Sequence, residues 1–211
     1  MTREQHGLDS PDETLRRGAA HLAKLHPELE PTLIERIVFE SHATLARGAR
    51  VRTHLPALAL KFAADRLKAL EAGEGRREAG APLRVLVESI RNDGISQMAA
   101  AYLNALSDGR VEALSAALNP ADEVLRTVVG VMEEDGVPLT ESYPKPVTDD
   151  VARAADVIIT MLIDHPFELQ PEQQVLSWDF DDPAGLSTDE VRRIRDRVRR
   201  QVQQYLDALE G

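Results

Sequence analysis

The chain has 211 residues, 43% hydrophobic, 4% aromatic and 29% charged, with a net charge of −11. So acidic a surface does not suit nucleic acid or an anionic membrane as main partner, since both draw basic side chains. No apolar run approaches the ~18 residues of a membrane span. Cysteine is absent, which excludes disulfides, thiolate metal sites and a thiol nucleophile. The opening residues, MTREQHGLDSPDE, hold no apolar signal region, so a cytoplasmic protein is expected.

Residues 1–71 read as an all-α three-helix bundle. Ser10, Pro11 and Glu13 form a capping box with Pro at the first helical position. Leu15, Ala19, Leu22 and Leu25 follow at helical spacing. Pro31 opens a second helix with Ile34, Ile37, Val38, Ser41 and Leu45 on one face, and Gly48 is its stop. A third helix begins near Thr53 and carries Leu55, Leu58, Ala59, Phe62, Ala63, Leu67 and Leu70. A bundle this small gains from an additional interface. Residues 72–81, AGEGRREAGA, have no periodicity and read as a flexible linker.

Residues 82–211 alternate strand and helix signals. Strands are expected at 83–87, 111–116, 156–161 and 175–178. Helices are expected at 96–106, with Met98, Tyr102 and Leu103 inward, at 122–134, and briefly from Thr148. A long final helix starts at the capping box Ser187–Glu190, with a stripe of Val191, Ile194, Val198, Val202, Tyr205 and Leu209. This alternation predicts an α/β fold: a small, mainly parallel sheet with helices on both faces. Sites in such sheets lie at the carboxyl ends of the strands, which draws attention to residues 84–103, RVLVESIRNDGISQMAAAYL. They read as strand, eight-residue loop and helix. Loop N–H groups with a helix N-terminus make an anion cradle.

Ser89, Asn92, Gly94, Ile95, Ser96, Gln97, Met98 and Ala99 fall in the register of the phosphate loop of the low-molecular-weight protein-tyrosine-phosphatase and arsenate-reductase family. That loop is C-x5-R-[ST] after a strand, close to CxHNxGRSQMA in the arsenate-reductase branch. The segment Pro144-Lys145-Pro146, the pair Thr148-Asp149, residues 154–161 and residues 178–185 resemble that branch in order and spacing. The helical N-terminal part, including residues 49–53, resembles an extension on some actinobacterial arsenate reductases. The resemblance implies the low-molecular-weight phosphatase fold, with Ser89 at the nucleophile position, Ile95 at the oxyanion-clamping Arg position and Asp182 at the general-acid position. The segment 162–171, where some arsenate reductases carry further cysteines, has none.

Serine is a far weaker nucleophile than a thiolate and needs an adjacent base. Arg91 stands where the branch often has His, and Ile95 offers no bidentate clamp. Charges on Glu88 and Asp93, should they face the loop, would oppose a dianion. The expectation is a non-catalytic relative acting in binding, oligomerisation or regulation. Weak oxyanion binding is placed at Ser89, Ile90, Arg91, Asn92, Asp93, Gly94, Ile95 and Ser96, and Asp182 is either a residual general acid or a turn residue. The alternatives are an active arsenate reductase or phosphatase, were Ser89 an engineered replacement, and different chemistry at the same rim using Ser89, Asp182 and Arg91. No cofactor is expected. The histidines His6, His21, His26, His42, His54 and His165 lack ligand spacing, so no metal is expected either. Tyr143 reads as packing. The arginines from Arg192 to Arg200 read as a solvated face paired with Asp189, Glu190 and Asp196, or else as a docking surface for an acidic partner. A homodimer through the N-terminal bundle is expected, with no nucleic-acid or membrane partner.

Overall fold

A computed structural model describes residues 10–47, 54–74 and 80–209. The chain divides into two compact units, Met1–Glu71 and Ala72–Gly211. Gly48, Thr53, the motif 49–53, His6 and most of the expected linker lie outside the described residues.

The first unit contains α1 (Pro11–Leu25), α2 (Pro31–Ala46) and all but the last three residues of α3 (Leu55–Glu74). Ser10 accepts from the Glu13 N–H at 3.2 Å. Leu15, Ala19 and Leu22 are buried as expected, whereas Leu25, the last of that stripe, is 60% exposed. Together with Leu29, Ile34, Ile37, Val38, Ala59, Ala63 and Leu67 the three form one core. The third helix runs on to Glu74, into the segment read from composition as linker.

The second unit is a four-stranded, wholly parallel sheet of β1 (Leu83–Ser89), β2 (Val111–Ala117), β3 (Val157–Thr160) and β4 (Gln174–Ser177). The order is β2-β1-β3-β4, and the carboxyl ends of all four strands share one rim. Four helices accompany it: α4 (Ile95–Leu106), α5 (Arg126–Glu134), α6 (Asp149–Ala154) and α7 (Thr188–Ala208). Val85, Val87, Val157 and Ile159 pack with Met98, Tyr102, Leu103, Val128, Val131, Val191, Ile194 and Val198, so α4, α5 and α7 cover one face. The next residues along the same strands, Leu86 and Ile158, are also buried, as the period of two requires for a sheet buried on both sides. The shorter α6 lies against β1.

Some element bounds differ from the sequence reading. The helix expected over 122–134 starts at Arg126. Residues before it are held by N–H bonds from Ala121 to the Arg91 carbonyl (2.9 Å) and from Leu125 to the Asp93 carbonyl (2.9 Å), which a helix starting at Asp122 would break. The first strand runs two residues further, to Ser89. On α7 the stripe closes on buried Leu206, while Leu209 is 45% exposed and Tyr205 meets Trp178 edge-on at 6.0 Å. Among the described residues no helix is long and apolar enough to cross a membrane.

Candidate functional site

The eight residues from Ser89 to Ser96 wrap the carboxyl end of β1. The segment after β2 fixes them from outside. Leu118, Asn119, Ala121 and Leu125 donate their N–H groups to the carbonyls of Ser89 (3.3 Å), Ile90 (3.0 Å), Arg91 (2.9 Å) and Asp93 (2.9 Å). In a planar trans peptide the carbonyl of one residue and the N–H of the next point in opposite directions. Carbonyls turned outward at 89, 90, 91 and 93 therefore turn the N–H groups of Ile90, Arg91, Asn92 and Gly94 inward. The Asn92 N–H reaches the Ser89 hydroxyl at 3.0 Å. Among the described residues no protein acceptor is bonded to the N–H groups of Ile90, Arg91, Asp93, Gly94, Ile95 or Ser96. The last two are first-turn donors of α4, whose N-cap Gly94 offers no side-chain acceptor.

Asn92 is the keystone. It is fully buried with φ +53°, a left-handed conformation that Asn tolerates better than most residues. Its amide donates to Ser96 Oγ (3.0 Å), and its Oδ1 accepts from Gln97 Nε2 (3.0 Å) and the Lys145 N–H (3.2 Å). Gln97 Nε2 also reaches the carbonyls of Asn92 (2.9 Å) and Tyr143 (3.0 Å). The segment around Pro144 thus braces the loop, and Lys145 lies over the Tyr143 ring at 4.6 Å, which bears out packing for Tyr143. Gly94 is required by closeness: a Cβ there would sit 2.5 Å from Pro183 Cγ.

The other expected site residues fall differently. Ile95 is turned into the core, not over the loop. Ile90 is 51% exposed. Arg91 is paired with Asp93 at 2.8 Å, which holds its guanidinium above its ordinary value, so the Asp93 charge is compensated. Asp182 is exposed, and its Oδ1 accepts the Ala184 N–H at 2.9 Å, the bond of a turn residue. Glu88 is fully buried. As Ser89's neighbour in the strand it projects from the other face, where it meets His165 Nδ1 at 2.9 Å. Burial pushes its carboxyl up, and the imidazole partly offsets this. Glu88 Oε1 and His165 Nε2 have no hydrogen-bond partner among the described residues. Spacing rules could not find this pair, because they reach only local partners, and Glu88 lies in β1 whereas His165 comes from the segment after β3.

The site closes on two hydroxyls. Ser89 Oγ and Ser96 Oγ are 2.8 Å apart, both buried. Ser89 accepts from the Asn92 N–H and Ser96 from the Asn92 amide. Two hydroxyl protons share one contact, so one of them has no acceptor among the described residues. A buried cluster that offers N–H and O–H donors and lacks acceptors matches the chemistry of an oxyanion.

Residues 84–211 match the family model for the low molecular weight phosphotyrosine protein phosphatase, more than half of the chain. The chain belongs to that family. Residues 15–71 match the protein-tyrosine-phosphatase-like N-terminal domain. A thioredoxin-dependent arsenate reductase of Corynebacterium glutamicum superposes with a TM-score of 0.82 at 34% identity, over 93% of this chain and 96% of that one. A Halobacterium salinarum protein provisionally named arsenate reductase is 36% identical over 56% of this chain and 87% of its own length. An arsenate reductase solved in a phosphate-binding state matches at 27% identity with a TM-score of 0.52, over 60% of this chain and 98% of that one. The low-molecular-weight phosphatase fold and the helical N-terminal extension expected from the sequence are both present.

Proposed function

We propose that this family member binds a tetrahedral oxyanion in the loop 89–96 and does not turn it over. One observation carries the reading: the loop keeps its inward N–H groups while Ser89 stands where the family places a thiol and Ile95 is buried where it places the clamping arginine. A relative solved in a phosphate-binding state supports phosphate or arsenate as the anion. Loss of one transition-state donor alone costs about 10²- to 10³-fold in rate, and the hydroxyl has no base beside it. Glu88 is tied to His165, Asp93 to Arg91, and Asp182 caps its own turn. Calorimetric titration with phosphate and arsenate is expected to give one weak site per chain. Phosphatase and thioredoxin-coupled arsenate-reduction assays are expected to give no turnover beside the Corynebacterium relative as control. Turnover abolished by Ser89→Ala would refute the reading.

The N-terminal unit is proposed to mediate homodimer formation. Leu25 extends the apolar stripe of α1 yet is 60% exposed, and a partner copy would cover it. Light scattering at micromolar concentration is expected to give twice the chain mass, and Leu25→Glu to lower it. A chain that scatters as a monomer excludes the dimer.

A further inference from the structure

The two edges of the parallel sheet differ. At β2 the outward backbone groups are closed one after another. Ser107 Oγ accepts the Val111 N–H at 3.2 Å and donates to the Val111 carbonyl at 3.4 Å. The Asn104 side chain accepts the Ala113 N–H at 2.8 Å and donates to the Ala113 carbonyl at 2.9 Å. Ala117 donates to the Lys145 carbonyl and accepts from the Val147 N–H, both at 2.9 Å. The β4 edge has no such cover. The N–H groups of Gln174 and Trp178 donate to the carbonyls of Asp156 (3.1 Å) and Thr160 (3.0 Å) on the β3 side. Backbone groups of successive strand residues face opposite edges, so those of Val175 and Ser177 face outward. Among the described residues nothing bonds to them. Open edges are commonly blunted by Pro or charge, and Gln174–Ser177 contains neither.

This open edge leads into a cleft of ≈ 300 Å³ between residues 177–180 and α7. Buried Trp178 and Phe180 line it on one side, and Arg200, Gln201 and Gln204 on the other. The neighbouring arginines of α7 are committed: Arg195 to Asp196, Arg197 to Asp181 and Arg199 to Asp135. Arg200 is not. Among the described residues it has no carboxylate partner, and the side chains of Gln201 and Gln204 make no hydrogen bond. The cleft thus has an unspent cation and unspent amides on one wall, beside a strand edge with unspent backbone groups.

We propose that the β4 edge and this cleft receive an extended acidic segment of a partner protein, added to the sheet beside β4. Val175 and Ser177 hydrogen-bond its main chain, as any sheet edge does with an added strand. Val175, 41% exposed, gives its side chains an apolar cross-strand contact. Gln201 and Gln204 offer donors and acceptors to the stretch that enters the cleft. The Arg200 guanidinium takes a carboxylate through a charge-assisted bond. Asp179 also lines the cleft, on the strand side, and repels an acid placed there, so the carboxylate of the segment is drawn to the α7 wall. The proposal uses no residue of the loop 89–96 and stands apart from the oxyanion reading.

The test is titration of the full chain with short capped peptides of alternating threonine and valine, each with one glutamate moved through the positions. The readout is the emission of Trp178, the only tryptophan of the chain. The expected result is a saturable change with at least one glutamate position. Replacing that glutamate by lysine, or Arg200→Gln in the protein, weakens binding by about tenfold. Methylating alternate peptide amides abolishes it, as does Val175→Pro, which removes an outward N–H that β3 does not use. Proline is accepted on an edge strand whose N–H faces solvent, and an unchanged urea midpoint checks the fold of that variant. Should it fail to fold, the methylated peptide decides. No saturable change with any peptide, binding that survives amide methylation, or equal binding of the lysine peptide overturns the proposal. So does a fall in scattering mass in Val175→Pro, which would place a second copy of this chain on the edge.

Discussion

At the residue scale, three changes from the family pattern have three different physical consequences. Ser89 Oγ accepts the Asn92 N–H of the loop at 3.0 Å, but a hydroxyl is far less acidic than a thiol. Restoring sulfur tests whether the electrostatics survive. A Cys thiol has an ordinary pKa of about 8.5, lowered when it is surrounded by N–H donors at a helix N-terminus. In Ser89→Cys the rate of iodoacetamide alkylation is expected to rise with pH to a midpoint well below that value, and an ordinary midpoint would mean that the loop donors do not face Oγ. Ile95 shows the limit of motif reading. Its register was visible in the sequence, yet only the fold shows its side chain in the core with Met98 and Val128. Glu88 was legible as a charge beside the loop, but its direction was not, because its partner His165 comes from a distant loop. Burial raises the Glu88 pKa above 4.5, so above pH 4.5 the native state holds a proton that the unfolded chain has released. The stability tied to that proton is complete below 4.5 and is lost as pH rises through the folded value, at no more than about 1.4 kcal/mol per pH unit. Urea denaturation across that range is expected to show the decline in the unaltered chain and a flatter profile in Glu88→Gln. A decline unchanged by the substitution would assign it to another group.

At the element scale, the long final helix shows what local rules reach and where they stop. Its capping box was read from Ser187 and Glu190. Both halves form, with Glu190 Oε2 accepting from the Ser187 N–H at 2.9 Å and Ser187 Oγ from the Glu190 N–H at 3.4 Å. Removing it by Ser187→Ala is expected to lower stability by about 1 kcal/mol, read as a shifted urea midpoint with an unchanged slope. Ser10→Ala is expected to cost less, since the cap on α1 is formed only by the serine side chain. The arginines behaved otherwise. Spacing assigned them to Asp189, Glu190 and Asp196 on their own helix, and Asp189 and Asp196 do pair with Arg192 and Arg195. Glu190 instead serves the cap. Arg192 also grips Glu134 with two bonds of 2.7 and 2.8 Å, Arg197 reaches Asp181 at 3.0 Å and Arg199 reaches Asp135 at 3.0 Å. Sequence spacing finds partners one turn away and misses those that packing brings from α5 and from the loop after β4. Arg197 lies 5.5 Å above the Phe180 ring while holding Asp181, so the loop that carries Asp182 is tied to α7. This pairing leaves less free positive charge for an acidic partner than the run of arginines suggests.

At the scale of the whole molecule, the two cores draw on separate stretches of chain. Leu15, Ile34, Val38 and Leu67 belong to one, and every member of the other, from Val85 to Leu206, lies after the third helix. The loop and all its braces, Asn92, Gln97, Tyr143, Lys145 and Pro183, also lie in the second stretch. Strand and helix periodicity makes this division legible in the sequence, because hydrophobic spacing changes from 3.6 to alternating strand and helix signals after residue 82. The end of α3 was not legible, since Ala72, Gly73 and Glu74 resemble linker in composition while the helix simply continues through them. A core complete within one stretch should fold without the other. A chain beginning at Gly80 is therefore expected to unfold cooperatively in urea and to bind phosphate with the affinity of the full chain. The stretch ending at Glu74, with its smaller core, is expected to be the less stable of the two. Binding lost on truncation, with cooperative unfolding retained, would mean that the helical unit contributes to the loop's function and that the division by core is not a division by task.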